Sequence, residues 1–240
     1  MQRSRAAEAG WTVGIDEVGR GALAGPVVVA AAAVPARFAR LGRGLGTGRG
    51  LGLGALKDSK KLTPAARERW AAYFSSHPDI RFSVARVYPR RIEKMNISRA
   101  ANLAALRSCE RLFTRGLPPG ASALRVAGTK RIASTATPVF LDGGLYLGGR
   151  ERQERSARRR ATTVVKGDEK IVAVAVASII AKVYRDRLMS RLANRHPGYG
   201  FEIHKGYGTA AHLRALRRRG PSPAHRLTFI KKSLIIRERH

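Results

Sequence analysis

Apolar positions along the chain fall into short solid or alternating runs and longer helically spaced ones. Residues 11–15 (WTVGI) are β-branched and aromatic, which predicts a strand. Residues 27–34 form an unbroken apolar run between Pro26 and Pro35, the pattern of a strand covered on both faces. Thr63 and Pro64 supply a cap and a first-turn proline for a helix running through ARERWAAYF. Residues 80–87 (IRFSVARV) alternate as a strand, and 90–113 carry helical spacing through Leu103, Leu106 and Leu112. Two short strands follow at 139–141 and 162–165, the first running into Asp142, Gly143 and Gly144. Residues 171–189 predict a helix, because the apolar run is longer than a strand. Residues 196–208 are glycine-rich and irregular, and 209–219 form a basic helix closed by Gly220. Segments 40–55, 115–137 and 148–160 read as loops, and the tail ends in an apolar patch at 233–236. The mixture predicts an α/β fold with a helical C-terminal end.

Charge changes the picture. The 240 residues carry 47 Lys+Arg against 16 Asp+Glu, a formal charge of +31. The length suits one good-sized domain with its own core. The excess positive charge calls for a polyanion, with nucleic acid first and an anionic membrane surface as the rival. The apolar runs at 27–34 and 171–181 fall short of the ~20 residues of a membrane span. Residues 1–10 are polar, so the chain reads as cytoplasmic. Cys109 is the single cysteine, which excludes an internal disulfide and a zinc site built on several thiolates. Its default is burial as a small hydrophobe. Aromatic residues make up 6%, too few for a binder working mainly by ring stacking.

In so basic a chain the positions of the few acidic residues are informative. Asp16 and Glu17 end the first strand, Asp142 ends another, and Asp168 and Glu169 follow a third. Carboxylates at three strand ends converge where a sheet opens a crevice. Oxygen ligands without Cys or His suit Mg²⁺ or Mn²⁺, and two such ions support phosphodiester hydrolysis. The competing readings are turn residue for Asp before Gly, and helix cap for Asp168. Adjacent strand residues point to opposite faces, so Asp16 and Glu17 share a site only if the strand ends or bends there.

Motif by motif, the sequence resembles ribonuclease HII. The resemblance rests on GIDEVGRGALAGPVVVAAAAV (14–34), DSKKLTPAARER (58–69), IEKMNISRAANLAAL (92–106), LDGG (141–144), KGDEKIVAVAVASIIAKVYRDRLM (166–189) and HPGYGFEIHKGYGTAAHLRALRRRGPSPAHR (196–226). These stand in the family's order and cover roughly half the chain. The related ribonuclease HIII carries an extra N-terminal domain, whereas about ten residues precede the first strand here. The resemblance implies a ribonuclease H-like fold, a mixed β-sheet flanked by helices with a helical C-terminal segment. It divides the chain into a catalytic domain at 11–190 and a basic helical substrate-binding segment at 191–240, packed on it. It implies cleavage of the RNA strand of RNA–DNA hybrids and incision 5′ to single ribonucleotides in duplex DNA, leaving 5′-phosphate and 3′-hydroxyl ends.

By motif position the resemblance implies that Asp16, Glu17, Asp142 and Asp168 are the catalytic carboxylates and hold two divalent ions, Mn²⁺ or Mg²⁺. Gly19, Arg20 and Gly21 match the family's nucleic-acid-binding loop, and Tyr207 matches the tyrosine that packs on the deoxyribose after the ribonucleotide. Lys60 matches a phosphate-contacting lysine. Glycines let the backbone approach a sugar-phosphate, Arg grips phosphate with two donors, and the 2′-hydroxyl distinguishes RNA from DNA. Glu169 and Asp186 are read as helix-start charge and structural partner, and His204 and His225 as phosphate or structural groups. Segments 36–56, 114–137 and 147–160 exceed the family's usual loop lengths, and KIVAVAVAS replaces its small-residue run. The expected protein is a monomer. Two rivals stand: a non-catalytic RNA-binding protein, against which the four acidic positions weigh, and a DNA nuclease of the same fold, against which the glycine loop and Tyr207 weigh.

Overall fold

The computed structural model describes residues 10–36, 38, 53, 56, 59–115, 137–147 and 161–231. The segments read as loops at 40–55, 115–137 and 148–160, and the apolar patch at 233–236, lie wholly or mainly outside these residues.

Strands Trp11–Val18 (β1), Val27–Pro35 (β2), Arg81–Val87 (β3), Val139–Asp142 (β4) and Ala161–Val164 (β5) form one mixed sheet in the order β3-β2-β1-β4-β5. The β1–β2 and β2–β3 pairs are antiparallel; β1–β4 and β4–β5 are parallel. All nine β2 residues are buried, as an apolar run without alternation requires. Val27, Val29, Ala31 and Ala33 enter one core, while Ala30, Ala32 and Val34 enter the other.

The helices are Pro64–Ser76 (α1), Pro89–Met95 (α2), Ile97–Arg115 (α3), Gly167–Lys170 (α4), Val172–Arg195 (α5), Phe201–His204 (α6) and Ala210–Arg219 (α7). The first core packs the sheet against α2 and α3 through Ile92, Ala101, Ala105 and Leu112. The second packs it against α1 and α5 through Trp70, Phe74, Val176 and Ile180. Burial between sheet and α1 overrides the modest helix propensity of Val and Ile in α5. No described helix is long and apolar enough to cross a membrane.

The single helix expected at 90–113 is two. Asn96 adopts φ 69°, which ends α2, and its Oδ1 accepts the Arg99 amide at 3.0 Å, which caps α3. With ψ 165° this lies outside the left-handed helical region that asparagine favours, in backbone territory used almost only by glycine. The irregular 196–208 segment contains the short α6, and α5 runs past its expected end to Arg195.

Cys109 lies in α3, 1% exposed, and burial with Glu110 beside it pushes its thiol up to about 12. A thiol so protonated and covered is a poor nucleophile. The native protein is therefore expected to resist a thiol-specific reagent, with one equivalent reacting only on unfolding in urea. Stoichiometric labelling of the native form within the mixing time would contradict this.

Candidate active site

The site forms where two neighbouring strands part. The parallel β1–β4 ladder ends at Ile15↔Leu141, so the next residues on the two strands are Asp16 and Asp142. β1 itself neither ends nor bends there; it stays paired with β2 through Val18. The condition set by strand geometry is met differently. Asp16 follows the face of Gly14 and Ala30, toward α5, and Glu17 follows that of Ile15 and Val29, toward α3. The two carboxylates thus flank the sheet edge from opposite faces, and both feel the charge of Asp142.

Glycine makes this possible at Gly14. A Cβ there would lie on the Ala173 carbonyl and the Val174 amide, so the first turn of α5 rests directly on β1. That contact brings Ser178 of α5 beside Asp16, whose charged form its hydroxyl favours. Ser178 Oγ is also 2.8 Å from Ser59 Oγ, tying the segment before α1 to the site. A lone hydroxyl in the run AVAVASIIA was the signal for Ser178, and sequence reasoning passed over it.

Burial raises the Asp16 carboxyl well above the usual carboxylate range, with Glu17 and Asp142 adding to the rise and Ser178 opposing it. Glu17 is also raised by burial, against the pull of Arg20. Asp16 Oδ1 accepts the Glu17 amide at 2.7 Å, and Asp142 Oδ1 accepts the Gly167 amide at 2.8 Å. Asp168 is 7% exposed in the first turn of α4, with Lys60 Nζ 4.0 Å from its Oδ2.

Glu17 Oε2 is buried and has no hydrogen-bond partner. A buried oxyanion without a donor is costly, and a cation removes that cost. Hard carboxylate oxygens in a like-charged cluster fit Mg²⁺ or Mn²⁺. Among the described residues no three His, Cys, Asp or Glu side chains are drawn into a closed ligand set. The fit therefore rests on the donor chemistry and on the Glu17 oxygen.

Arg20 spans the rim. Its Nη1 lies 3.3 Å from Glu17 Oε1 and donates to the Gly144 carbonyl at 3.2 Å, and Nη2 donates to Ser98 Oγ at 3.2 Å. Gly19 turns the chain at φ 84°, and Arg226, wholly buried, donates to the Gly19 carbonyl at 2.7 Å and the Arg20 carbonyl at 2.9 Å. Those two carbonyls face inward, and Gly21 is exposed with open space where a Cβ would stand. The Tyr207 ring, half-buried, lies against Arg185, whose side chain occupies the space beside Gly19. Arg185 also donates to the Pro26, Ala24 and Lys205 carbonyls at 2.9–3.1 Å.

Arg226 and Arg185 escaped sequence reasoning, since buried arginines serving backbone carbonyls leave no local pattern. Glu169 pairs with Lys61 at 2.9 Å, and Asp186 pairs with Lys182 at 2.7 Å and Arg67 at 3.8 Å. His204 and His225 are buried in a ring cluster of the C-terminal segment.

Comparison with known proteins agrees in both sequence and shape. A family model described as Ribonuclease HII matches residues 13–232. Ribonuclease HII of Nitratidesulfovibrio vulgaris is 41% identical over 217 residues, covering 90% of this chain and 84% of that protein. Ribonuclease HII of Granulibacter bethesdensis is 40% identical over 220 residues, covering 92% and 84%. The RNase HII in the PCNA:RNase HII complex from Archaeoglobus fulgidus superposes with TM-score 0.58 at 25% identity, covering 90% of this chain and 93% of that one. Bst-RNase HIII in complex with Mn²⁺ shares the fold, with TM-score 0.61 at 23% identity, covering 100% and 75%. The sheet order, the helices on both faces and a match along nearly the whole length agree: the chain belongs to the ribonuclease HII family and is an endoribonuclease of the ribonuclease H type.

Proposed function

We propose that this enzyme cleaves the RNA strand of RNA–DNA hybrids and incises 5′ to single ribonucleotides in duplex DNA, leaving 5′-phosphate and 3′-hydroxyl ends. Asp16, Glu17, Asp142 and Asp168 are its catalytic carboxylates and hold two divalent ions, Mn²⁺ or Mg²⁺. The observation that carries this reading is the buried, unpartnered Glu17 oxygen in a carboxylate cluster at the opening between β1 and β4. When bound, the ions lower the pKa of the attacking water and stabilise charge on the leaving 3′-oxygen.

The chain's own groups supply binding and alignment. Arg20 offsets the Glu17 charge and presents donors at the rim, where a phosphate docks. Gly21 lets the sugar-phosphate approach the backbone. Lys60, exposed beside Asp168, steadies a neighbouring phosphate, and Tyr207 packs on the deoxyribose after the ribonucleotide. Residues 191–240 act as the substrate-binding segment, with Arg217, Arg218 and Arg219 in the last turn of α7 supplying phosphate contacts.

A duplex with one ribonucleotide and an all-DNA control separate the readings. Cutting 5′ to the ribonucleotide in Mn²⁺ or Mg²⁺, abolished by chelator, with the control intact, is the expected result. Cutting of both duplexes would point instead to a general DNA nuclease. Binding without cutting would overturn the catalytic assignment.

A further inference from the structure

The C-terminal segment buries three imidazoles, His204, His212 and His225, that the reaction does not use. Proton bookkeeping fixes each ring. The Ser222 amide donates to His225 Nδ1 at 2.9 Å, and an amide can only donate, so this nitrogen carries no proton. The Ser222 carbonyl is farther from it, at 3.3 Å. The His225 proton therefore sits on Nε2, 3.0 Å from His212 Nε2, which must accept. The His212 proton then sits on Nδ1, which donates to the Tyr207 carbonyl at 2.9 Å. His204 is fixed likewise: its Nδ1 accepts the Gly206 amide at 3.1 Å, and its Nε2 donates to the Tyr199 carbonyl at 2.7 Å.

The His212 and His225 rings are neutral and enclosed. Burial pulls His212 and His225 down to about 4, so each holds one proton at neutral pH. His204 stacks on His212 with centroids 4.2 Å apart, and the Phe201 ring stands nearly perpendicular to both. The carbonyl they reach ends a tight turn. Lys205 and Gly206, just before Tyr207, both have positive φ, at 52° and 81°.

The other end of the same segment holds the glycine loop. Arg226 follows His225 and bonds the Gly19, Arg20 and Gly25 carbonyls, while the Gly25 amide donates to the Ala224 carbonyl at 2.8 Å. Residues 222–226 thus reach Tyr207 through two rings and the Gly19–Gly21 loop through one guanidinium.

We infer that His225 and His212 form a one-directional hydrogen-bond relay that positions Tyr207 relative to the Gly19-Arg20-Gly21 loop, and so tunes reading of the junction between a ribonucleotide and the deoxyribonucleotide after it. Both are positioning residues and touch no substrate. The inference rests on the role proposed above for Tyr207.

The first test is spectroscopic, on the full ¹⁵N-labelled chain. Long-range ¹H–¹⁵N correlations are expected to show His225 protonated on Nε2 and His212 on Nδ1. The reverse tautomers would overturn the relay. The second is kinetic, with His212→Leu, which removes the donor, and His212→Asn, whose amide can replace the Nδ1–H. kcat and KM are measured on duplex DNA with one ribonucleotide and on an all-RNA/DNA hybrid. His212→Leu is expected to lower kcat/KM on the first at least ~10-fold more than on the second, since small misplacements at a recognition group cost this much. His212→Asn is expected to restore most of it. Equal losses on both substrates, tracking the thermal midpoint, would mean a structural role only and overturn the inference. Tyr207→Ala separates the two failures. If it leaves the substrate ratio unmoved, the role given to Tyr207 is wrong; if it shifts the ratio and His212→Leu does not, the relay is wrong. Should His212→Leu fail to fold, the tautomers and the His212→Asn ratio still decide.

Discussion

Replacing Asp16 by Asn is expected to lower cleavage by at least ~10³-fold while raising the thermal midpoint of the metal-free protein. The two effects share a cause. Asp16 is buried beside Glu17 and Asp142, and its carboxyl is raised well above the ordinary range by that burial and by its charged neighbours. A carboxylate whose folded pKa exceeds its unfolded value of about 3.9 opposes folding once pH climbs past that value. At pH 7 the amide removes this opposition and still accepts and donates hydrogen bonds. The gain is expected at about 0.5–2 kcal/mol, or about 1–8 °C for a domain of this size. Calorimetry checks the sign, because the advantage of the variant should shrink as pH falls through the raised folded-state value and vanish near the unfolded value of about 3.9, where both states carry the proton. Added Mn²⁺ should then raise the midpoint of the wild type more than that of the variant, since only the former keeps the full carboxylate set. A variant that cuts at the wild-type rate would remove Asp16 from the site. A variant that melts lower at pH 7 in the absence of metal would remove the electrostatic argument.

What the sequence disclosed follows the range of the interactions involved. β2 was legible because an unbroken apolar run between prolines has few alternatives, and α1 because Thr63 and Pro64 mark its start. α7 was legible from its ends, since Thr209 Oγ1 accepts the His212 amide and Gly220 closes the last turn. The break at Asn96 was missed because helical spacing continues across it, while a single residue both ends one helix and caps the next. The extension of β1 to Val18 was missed because Asp16 and Glu17 look like strand-end residues. Their pairing is with the backbone of β2, which asks nothing of their side chains. The four carboxylates proposed as catalytic stand out in the sequence through motifs. How Asp16 and Glu17 divide between two sheet faces was not legible, because it depends on where the β1–β4 ladder stops. Ser178, Arg185, His212 and Arg226 were passed over as site-building groups for a further reason. Ser178, Arg185 and Arg226 act on partners distant in the chain, and His212 on the Tyr207 carbonyl five residues away; most of these partners are backbone carbonyls that any residue type supplies.

Two glycines one short stretch apart are expected to behave oppositely when given a methyl group. Gly14→Ala is expected to destabilise the protein by about 3 kcal/mol, lowering the midpoint by about 6–12 °C. The new Cβ would collide with the Ala173 carbonyl and the Val174 amide, which are backbone atoms of a long buried helix and have no rotamer to change. Relief requires moving the start of α5 off β1, which carries Ser178 away from Asp16 and shifts the short α4 bearing Asp168, packed against the same turn. Activity is therefore expected to fall further than the folded fraction at the assay temperature accounts for. Gly21→Ala meets nothing within 4 Å and sits at the exposed rim, so its stability change is expected within about 0.5 kcal/mol. Its effect should appear in affinity for a labelled RNA–DNA hybrid, measured by fluorescence anisotropy in chelator, where a methyl group obstructs the approach of the sugar-phosphate. A Gly14→Ala variant with an unchanged midpoint would show that α5 does not rest on β1 as described. A Gly21→Ala variant that binds the hybrid with wild-type affinity would take the open backbone at Gly21 out of substrate recognition, leaving Arg20 as the contact of that loop.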